Sequence, residues 1–243
     1  MIELTDVAKS FGGVHALRGV SFRAENGKIT GVLGPNGAGK TTALRILYTV
    51  LQQDSGRASV DGFDTLEAPR EVQKRIGVLP DAHGLYPRLT SRENVRYFGR
   101  LHGLSGEALE REIDGLVRLL DMEDIADRRT EGFSTGQRVK VAIARALVQR
   151  PRNVLLDEPT SGLDVPSTRA MREFIRRLRD EGVAVVFSSH IMQEVSALCD
   201  HIVVLSRGAV TASGSPDELR RITGKDSLED AFVSAIGSEE GLE

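Results

Sequence analysis

Cysteine, tryptophan and long apolar runs are scarce in this chain. Of its 243 residues one is cysteine, Cys199, and none is tryptophan. A single cysteine cannot form a disulfide within the chain, which excludes a disulfide-stabilised secreted domain and agrees with a reducing cytoplasm. The longest apolar runs, such as Val183 to Phe187, have four or five residues, whereas about 20 are needed to cross a bilayer. We therefore expect that the chain cannot span a membrane unaided.

A secretory signal and an excess of positive charge are lacking as well. The first residues include the acids Glu3 and Asp6 and contain no apolar stretch of the kind that a signal peptide has. Lysine and arginine number 32 and the acids 35, which gives a formal net charge of −3 and no overall attraction to nucleic acid. With 40% hydrophobic and 28% charged residues, the chain can bury a large core. This composition predicts a globular protein. A local basic face stays an alternative, but we expect no nucleic-acid partner.

One glycine-rich stretch matches every fixed position of the pattern G-x-x-x-x-G-K-[ST]. An apolar segment ending at Leu33 precedes it and a helix-like segment from Ala43 follows it, and this strand-loop-helix context is the one that a phosphate-binding loop requires. The glycines let the backbone approach a phosphate, and the helix directs its positive end towards it. We expect Lys40 to contact the β- and γ-phosphates and Thr41 to ligate Mg²⁺. The expected phosphate-binding residues are Gly34, Pro35, Asn36, Gly37, Ala38, Gly39, Lys40, Thr41 and Thr42. The alternative is a glycine-rich turn that happens to contain a lysine.

Two adjacent acids follow a continuous apolar run further along the chain. Val154, Leu155 and Leu156 predict a central parallel strand that is covered on both faces, and Asp157 and Glu158 come directly after it. In a phosphate-loop ATPase, the first acid at this place holds Mg²⁺ and the second accepts a proton from the water that attacks the γ-phosphate. Side chains of adjacent residues diverge, so the two carboxylates can have these different tasks. Acids that merely end a strand are the alternative.

The remaining periodicities predict an α/β fold. Residues 2–7 and 20–24 alternate like antiparallel strands, joined by a connection from Phe11 to Gly19. Between about residues 85 and 150 the patterns are helical only, which indicates a helical subdomain inserted between strands of a core. We predict a phosphate-loop NTPase core of the RecA type with an antiparallel β flap and this insert, over residues 1–222. A tail with one short helix, residues 223–243, completes the predicted organisation.

Five residues before a predicted helix carry the resemblance to a known family. Phe133, Ser134, Thr135, Gly136 and Gln137 would alone make an ordinary helix cap. At this place the chain resembles the ATP-binding cassette (ABC) family, in which a stretch L-S-G-G-Q binds the γ-phosphate of ATP held by the other subunit of a dimer. Ser134, Gly136 and Gln137 match that stretch, whereas Phe133 replaces the leucine and Thr135 the first glycine. The resemblance covers nearly the whole chain and implies that the three matching residues complete the site of a second subunit.

The resemblance implies roles for three further residues. Asp164 is the acid of the segment Ser161 to Asp164, which is similar to the loop through which the two active sites of the family communicate. His190 matches the family's switch histidine, which contacts the γ-phosphate and supports the attacking water, although a lone histidine is usually structural. Phe11 corresponds to the aromatic residue that stacks on adenine, and a core aromatic is the alternative.

The chain departs from the family pattern after the predicted strand Ile76 to Leu79. The family has a glutamine there that touches Mg²⁺ and the attacking water and moves with the membrane partner, whereas here Pro80 is followed by Asp81. A carboxylate is a suitable hard ligand for Mg²⁺. We therefore expect Asp81 to replace the glutamine as a metal ligand and to alter the properties of the metal site. The following stretch, residues 84–90 with 93–94, is similar to the ABC surface that receives a short coupling helix from the membrane subunit.

These residues together predict the ATP-binding and hydrolysing subunit of an ABC exporter, with ATP and Mg²⁺ as its cofactors. It is expected to dimerise around two ATP molecules, as a homodimer or with a related ATPase, and to drive a separate multi-spanning membrane subunit from the cytoplasmic face of the cell membrane. Asp81 and the run to Leu104 most resemble ATPase subunits of bacterial sodium exporters of the NatA type, so Na⁺ efflux is the candidate transport. One alternative is a soluble ABC ATPase acting on nucleic acid or ribosomes, which usually has two cassettes or a long coiled-coil insert. Another is a GTPase or small-molecule kinase, which would need a guanine-reading N-K-x-D motif or a substrate lid.

Overall fold

The computed structural model describes residues 1–81 and 84–237. Its strands are β1 (Ile2–Phe11), β2 (Val14–Ala24), β3 (Ile29–Leu33), β4 (Ser55–Val60), β5 (Phe63–Asp64), β6 (Ile76–Leu79), β7 (Asn153–Asp157), β8 (Ala184–Ser189), β9 (His201–Ser206) and β10 (Ala209–Gly214). Its helices are α1 (Lys40–Leu47), α2 (Pro69–Gln73), α3 (Ser91–Leu101), α4 (Gly106–Leu119), α5 (Thr135–Leu147), α6 (Val165–Asp180), α7 (Met192–Leu198), α8 (Pro216–Thr223) and α9 (Leu228–Ile236). Of the predicted tail, residues 238–243 lie outside the described part of the chain.

The antiparallel flap is present, but the predicted connection within it is wrong. β1 and β2 pair directly and leave only Gly12 and Gly13 between them, instead of a connection that runs to Gly19. Gly12 has a φ of 56°, which suits a tight hairpin turn, and Gly19 lies inside β2, where the register between the strands shifts. Glycine inside a strand often marks such a bulge, so the presence of Gly19 did not indicate a loop.

The second sheet brings the ends of three predicted strands to one edge. Its order is β10-β9-β3-β8-β7-β6, and β3 is parallel to both of its neighbours. β7 is parallel to β8 and pairs Asp157 with Ser188. In open parallel sheets, ligands bind outside the carboxyl ends of the strands. The loops that follow β3, β7 and β8 therefore leave the sheet side by side.

The apolar runs of these strands divide between two cores. Leu155 packs with the flap and α1, whereas Val154 and Leu156 pack with the helices on the opposite face. The same alternation separates Val186 from Val185 and Phe187. Because successive side chains of a strand point to opposite faces, a continuous apolar run fills both cores at once. This explains why the central strands lack the polar alternation of the flap.

The helical insert forms between β6 and β7, as the sequence predicted. Thr90 begins α3 with a capping box: its side chain accepts a hydrogen bond from the Glu93 backbone, and the Glu93 side chain accepts one from the Thr90 backbone. Such reciprocal bonds satisfy two donors at a helix start. Helices α3, α4 and α5 share one apolar cluster with the sheet, so the insert packs against the face of the core.

Helix α9 of the predicted tail packs on the same apolar cluster. Leu228 and Ala231 are buried there, and Phe232 packs beside them. The division of the chain into a domain and a tail stays a prediction. Over residues 1–81 and 84–237, no helix combines the length and the apolar character needed to cross a bilayer.

Candidate functional site

The phosphate loop connects β3 to α1 in a conformation that requires glycine. Gly39 has a φ of 105°, and a Cβ at this residue would lie 2.6 Å from the Ala16 carbonyl oxygen. Gly34 has no room for a Cβ either, because the Leu205 carbonyl oxygen of β9 occupies that space. The loop is therefore held between β2 of the flap and the central sheet, with the first turn of α1 directly after it.

Lys40 is the first residue of α1, where the loop ends, and it is almost fully buried. Its Nζ donates hydrogen bonds to the carbonyl oxygens of Gly34, at 2.8 Å, and Pro35, at 3.2 Å. The same Nζ lies 3.3 Å from the Glu158 carboxylate. The ammonium group thus links the loop after β3 to the residue that follows β7, which brings two separately predicted motifs into contact.

Asp157 ends β7 next to the first turn of α1. Its Oδ1 accepts hydrogen bonds from the Thr41 hydroxyl, at 3.1 Å, and from the Ser188 hydroxyl, at 2.6 Å. The other oxygen, Oδ2, is buried and has no hydrogen-bond partner within the described residues. Burial raises the pKa of this carboxyl, and the charges of Asp81 and Glu158 add to the effect. A buried carboxylate oxygen without a donor is costly, and a cation would relieve that cost.

Glu158 and His190 meet although they lie on different loops. The Glu158 backbone has a φ of 49°, in the left-handed region, and its N–H donates to the Ser188 hydroxyl at 2.9 Å. One Glu158 oxygen lies 3.0 Å from Nδ1 of His190, and the other faces Lys40. The site therefore holds an acid, a histidine and a lysine in one chain of contacts.

Phe11 and Asp81 lie at exposed positions. The Phe11 ring is 50% exposed at the end of β1, and the Lys9 ammonium lies 5.5 Å from its centre. A half-exposed ring is available for stacking and is not a core aromatic. Asp81 is exposed after β6, and it lies close enough to the site for its charge to raise the pKa of Asp157.

Ser134, Gly136 and Gln137 begin α5 in a capping box. The Ser134 hydroxyl accepts from the Gln137 backbone, and the Gln137 side chain accepts from the Ser134 backbone. Ser134 is exposed. A Cβ at Gly162 would lie 3.7 Å from the Thr135 methyl group, so this helix start adjoins the loop that contains Asp164. These hydrogen bonds are local and involve no residue of the phosphate loop.

Asp164 begins α6 as its cap. Its Oδ1 accepts from the Ser167 backbone at 2.8 Å. Hydrogen bonds from the side chain and backbone of Ser167 lower the pKa of the Asp164 carboxyl. The negative charge is therefore favoured at the positive end of the helix.

Ser188 is a site residue that the sequence did not reveal. Its hydroxyl donates to Asp157 and accepts from the Glu158 backbone, so it orients both predicted acids. A serine at the end of an apolar strand carries no motif. Only the parallel pairing of β7 with β8, which places the last residues of the two strands side by side, identifies Ser188 as a site residue.

Residues 17–161 match the sequence profile of the ABC transporter family. The chain belongs to the ABC transporter family. It is 45% identical over 241 residues to the ABC transporter ATP-binding protein NatA of Bacillus subtilis, with 97% of this chain and 98% of that protein covered. It is 32% identical to the linearmycin resistance ATP-binding protein LnrL of the same organism, over 97% of this chain and 76% of the relative. The predicted family is therefore confirmed.

Solved structures of ABC proteins have the same fold. The structure of an ATP-binding subunit of an ABC transporter superposes with a TM-score of 0.90 at 28% identity and covers 98% of this chain and 100% of its own. A dimeric ATP-binding cassette in a post-hydrolysis state, bound to ADP and Pi, superposes with a TM-score of 0.81 at 26% identity, over 88% and 98%. The ABC chain described here is accordingly an ATP-binding subunit and an ATPase with the predicted α/β phosphate-loop fold.

Proposed function

We propose that this chain is the ATPase subunit of an exporter and that it works as a dimer around two ATP molecules. The meeting of Lys40, Glu158 and His190 at the carboxyl ends of the central strands supports this proposal best. A dimeric ABC cassette with ADP and Pi is among the similar structures, which supports the dimer. Similar curated proteins are named for Nod factor export and daunorubicin resistance, which supports export.

The triphosphate of ATP would occupy the loop of residues 34–42, with the adenine ring on Phe11. Phosphate oxygens would replace the carbonyl and carboxylate partners that Lys40 has in this structure. The N–H groups at the start of α1 and the Lys40 charge stabilise the negative phosphates. This positioning and charge neutralisation are the main needs of phosphoryl transfer, because it requires little covalent chemistry from the protein.

The residues around Asp157 fit a magnesium ion. Mg²⁺ prefers oxygen ligands, and the unpartnered Asp157 Oδ2 beside the Thr41 hydroxyl supplies them. Thr41 and Asp157 would hold the ion, and Asp81 would be an additional ligand. When bound, the ion neutralises charge on the β- and γ-phosphate oxygens.

Glu158 is the proposed general base. Its carboxylate accepts a proton from the attacking water, whose oxygen forms a bond to the γ-phosphorus. The bond from that phosphorus to the bridging oxygen breaks, and ADP leaves with the electron pair. The contact between His190 and Glu158 holds the carboxylate in place, and His190 would also contact the γ-phosphate.

The second half of each site would come from another subunit. Ser134, Gly136 and Gln137 lie at a helix start whose capping hydrogen bonds are local, and Ser134 is exposed. Their backbone and side-chain donors would close on the γ-phosphate held by the other subunit, with Asp164 between the two sites. Whether that subunit is an identical chain or a related ATPase is decided by purification of the native complex.

A separate multi-spanning membrane subunit would supply the transport path. The chain would then lie at the cytoplasmic face of the cell membrane as a peripheral subunit. Na⁺ efflux, the transport suggested by the sequence resemblance, stays a prediction because the proposed transport path lies in the membrane subunit. Co-purification with a membrane protein, followed by a test of sodium transport in vesicles, would decide it.

The exchange Glu158→Gln tests the assigned chemistry. We expect the variant to bind ATP, to lose about 10²- to 10⁴-fold in hydrolysis because it lacks the base, and to accumulate as a dimer. Turnover measured by phosphate release and mass measured by sedimentation check both effects. Glu110→Gln, which changes an acid paired with Arg96 in the helical insert, is the matched control and should keep wild-type turnover. Near-normal hydrolysis by Glu158→Gln would refute the proposal.

A further inference from the structure

A buried carboxylate next to the site has no task in the chemistry described above. Glu194 lies in α7 and is only 3% exposed. Its Oε2 accepts hydrogen bonds from the Thr160 hydroxyl, at 2.5 Å, and from the Ser189 hydroxyl, at 3.1 Å. Burying a carboxylate is costly unless it receives such bonds. The buried position of Glu194 therefore indicates a role in the arrangement of the site.

One hydroxyl donor, Thr160, lies on the loop that carries Glu158, and the other, Ser189, ends β8 directly before the loop that carries His190. Thr160 lies two residues after Glu158, and Ser189 directly precedes His190. Since β7 and β8 are parallel neighbours, these loops leave the same edge of the sheet. One oxygen of Glu194 therefore joins the loop of the proposed base to the loop of the histidine.

The hydrogen bonds of Glu194 reach the backbone next to His190, and on the other side they end at Thr160, which lies in a backbone turn. The Ser189 hydroxyl donates to Glu194 and accepts from the Ile191 backbone at 3.0 Å, so the residues on either side of His190 are fixed. On the other loop, the Ser161 backbone donates to the Glu158 carbonyl at 3.1 Å. Thr160 thus lies inside a short turn that starts at Glu158. Glu194 is thus the acceptor that both hydroxyls share.

We propose that Glu194 is a positioning residue that sets the His190 ring against the Glu158 carboxylate. The contact between those two side chains is 3.0 Å, and His190 is half-exposed, so its own surroundings do little to fix it. Through its hydrogen bonds to Thr160 and Ser189, Glu194 fixes the two segments that carry Glu158 and His190 relative to each other. This inference rests on the roles proposed above for Glu158 and His190.

A double-mutant cycle tests the inference. Misplacing a catalytic group by about 1 Å can cost about 10²-fold in rate, so Glu194→Ala should lower kcat by about 10- to 100-fold with little change in KM for ATP. In a His190→Ala background the same exchange should change kcat less than about twofold, because residues that act through one another are not additive. Glu194→Gln keeps one oxygen acceptor and should recover most of the loss.

Removal of a single hydroxyl gives a second test in case Glu194→Ala does not fold. Thr160→Val keeps the shape of the side chain and removes one hydrogen bond to a carboxylate, so kcat should fall by about 3- to 10-fold. Thr65→Val is the matched control. Thr65 is buried, and its hydroxyl has no hydrogen-bond partner within the described residues, so kcat should stay at the wild-type value.

The outcomes separate this inference from the proposed function. If Glu194→Ala lowered kcat by the same factor in the wild-type and His190→Ala backgrounds, the inference would be overturned. Unchanged kcat in both Glu194→Ala and Thr160→Val would overturn it as well. A rise in KM alone would also contradict it, because that result indicates lost ATP binding. If Glu158→Gln and His190→Ala themselves kept wild-type turnover, the roles that the proposed function gives to Glu158 and His190 would be wrong, whatever the Glu194 variants show.

Discussion

Asp157 has an environment that opposes its own charge. The side chain is 1% exposed, and one of its oxygens has no donor within the described residues. Burial raises the pKa of this carboxyl, so the folded protein keeps the proton at pH values where the unfolded chain has released it. The free energy of unfolding therefore falls as the pH rises from the usual carboxyl value through the raised one. Above the raised pKa this destabilisation is complete, as expected for a carboxylate that we propose binds a cation.

Asp157→Asn should therefore stabilise the nucleotide-free protein while it weakens catalysis. At pH 8 without Mg²⁺ we expect a rise in Tm, of about 2–4 °C for each kcal/mol recovered in a chain of this size. The gain should shrink as the pH is lowered towards the usual carboxyl pKa, because the wild-type carboxyl then becomes neutral. Thermal unfolding followed by circular dichroism over this pH range measures the effect, and phosphate release measures the loss of ATPase activity.

Asp54→Asn is the control of opposite sign. Hydrogen bonds from Lys9 and the Ser10 backbone lower the pKa of Asp54, so this carboxylate stabilises the fold above the usual carboxyl pKa. Its exchange should lower Tm at pH 8 and leave ATPase activity unchanged. A lower Tm for Asp157→Asn at pH 8, or a gain that does not depend on pH, would contradict the argument for Asp157.

The phosphate loop shows how an element depends on its neighbours. Gly39 combines a left-handed φ with close contact to the backbone of β2. Gly39→Ala should destabilise the protein by about 1–3 kcal/mol, and ATP binding should weaken by more than tenfold because the loop must move away from β2. Urea unfolding and calorimetric titration with ATP measure the two effects.

Gly115 provides a matched glycine exchange in a helix. It lies in α4, and apart from its chain neighbours and the backbone of its own helix, no atom of the described residues would come within 4 Å of an added Cβ. Gly115→Ala should stabilise the protein by about 0.5–1 kcal/mol, because alanine is the better helix former, and ATP binding should not change. Wild-type ATP affinity in Gly39→Ala would show that the loop does not need the contact with β2.

Local patterns predicted many elements, whereas contacts between distant segments had to come from the fold. The apolar run from Ile76 to Leu79 predicted the bounds of β6, and Val154, Leu155 and Leu156 predicted the centre of β7. The two-residue turn at Gly12, the short strand β5 and the position of β3 between β8 and β9 depend on long-range pairing, which periodicity does not encode. The same holds for Ser188 and Glu194. These polar residues match no motif, and only the contacts formed when strands from separate parts of the chain align identify them as site residues.

For the whole molecule, the proposed site is complete only when two subunits meet. The phosphate loop, Glu158 and His190 lie together in one chain, whereas Ser134 begins a helix whose hydrogen bonds are local. A single subunit should therefore bind ATP and hydrolyse it poorly. We expect ATPase activity per subunit to fall in proportion to the dimer fraction when the protein is diluted below its dimer dissociation constant.

Nucleotide binding provides the internal control for this dilution. Because the loop of residues 34–42 lies within one chain, binding of a fluorescent ATP analogue per subunit should persist at concentrations where hydrolysis has been lost. Sedimentation velocity with Glu158→Gln and ATP supplies the dimer dissociation constant against which the activity is plotted. Activity per subunit that stays constant far below that constant would mean that one chain holds the whole catalytic site, and the role proposed for Ser134, Gly136 and Gln137 would be wrong.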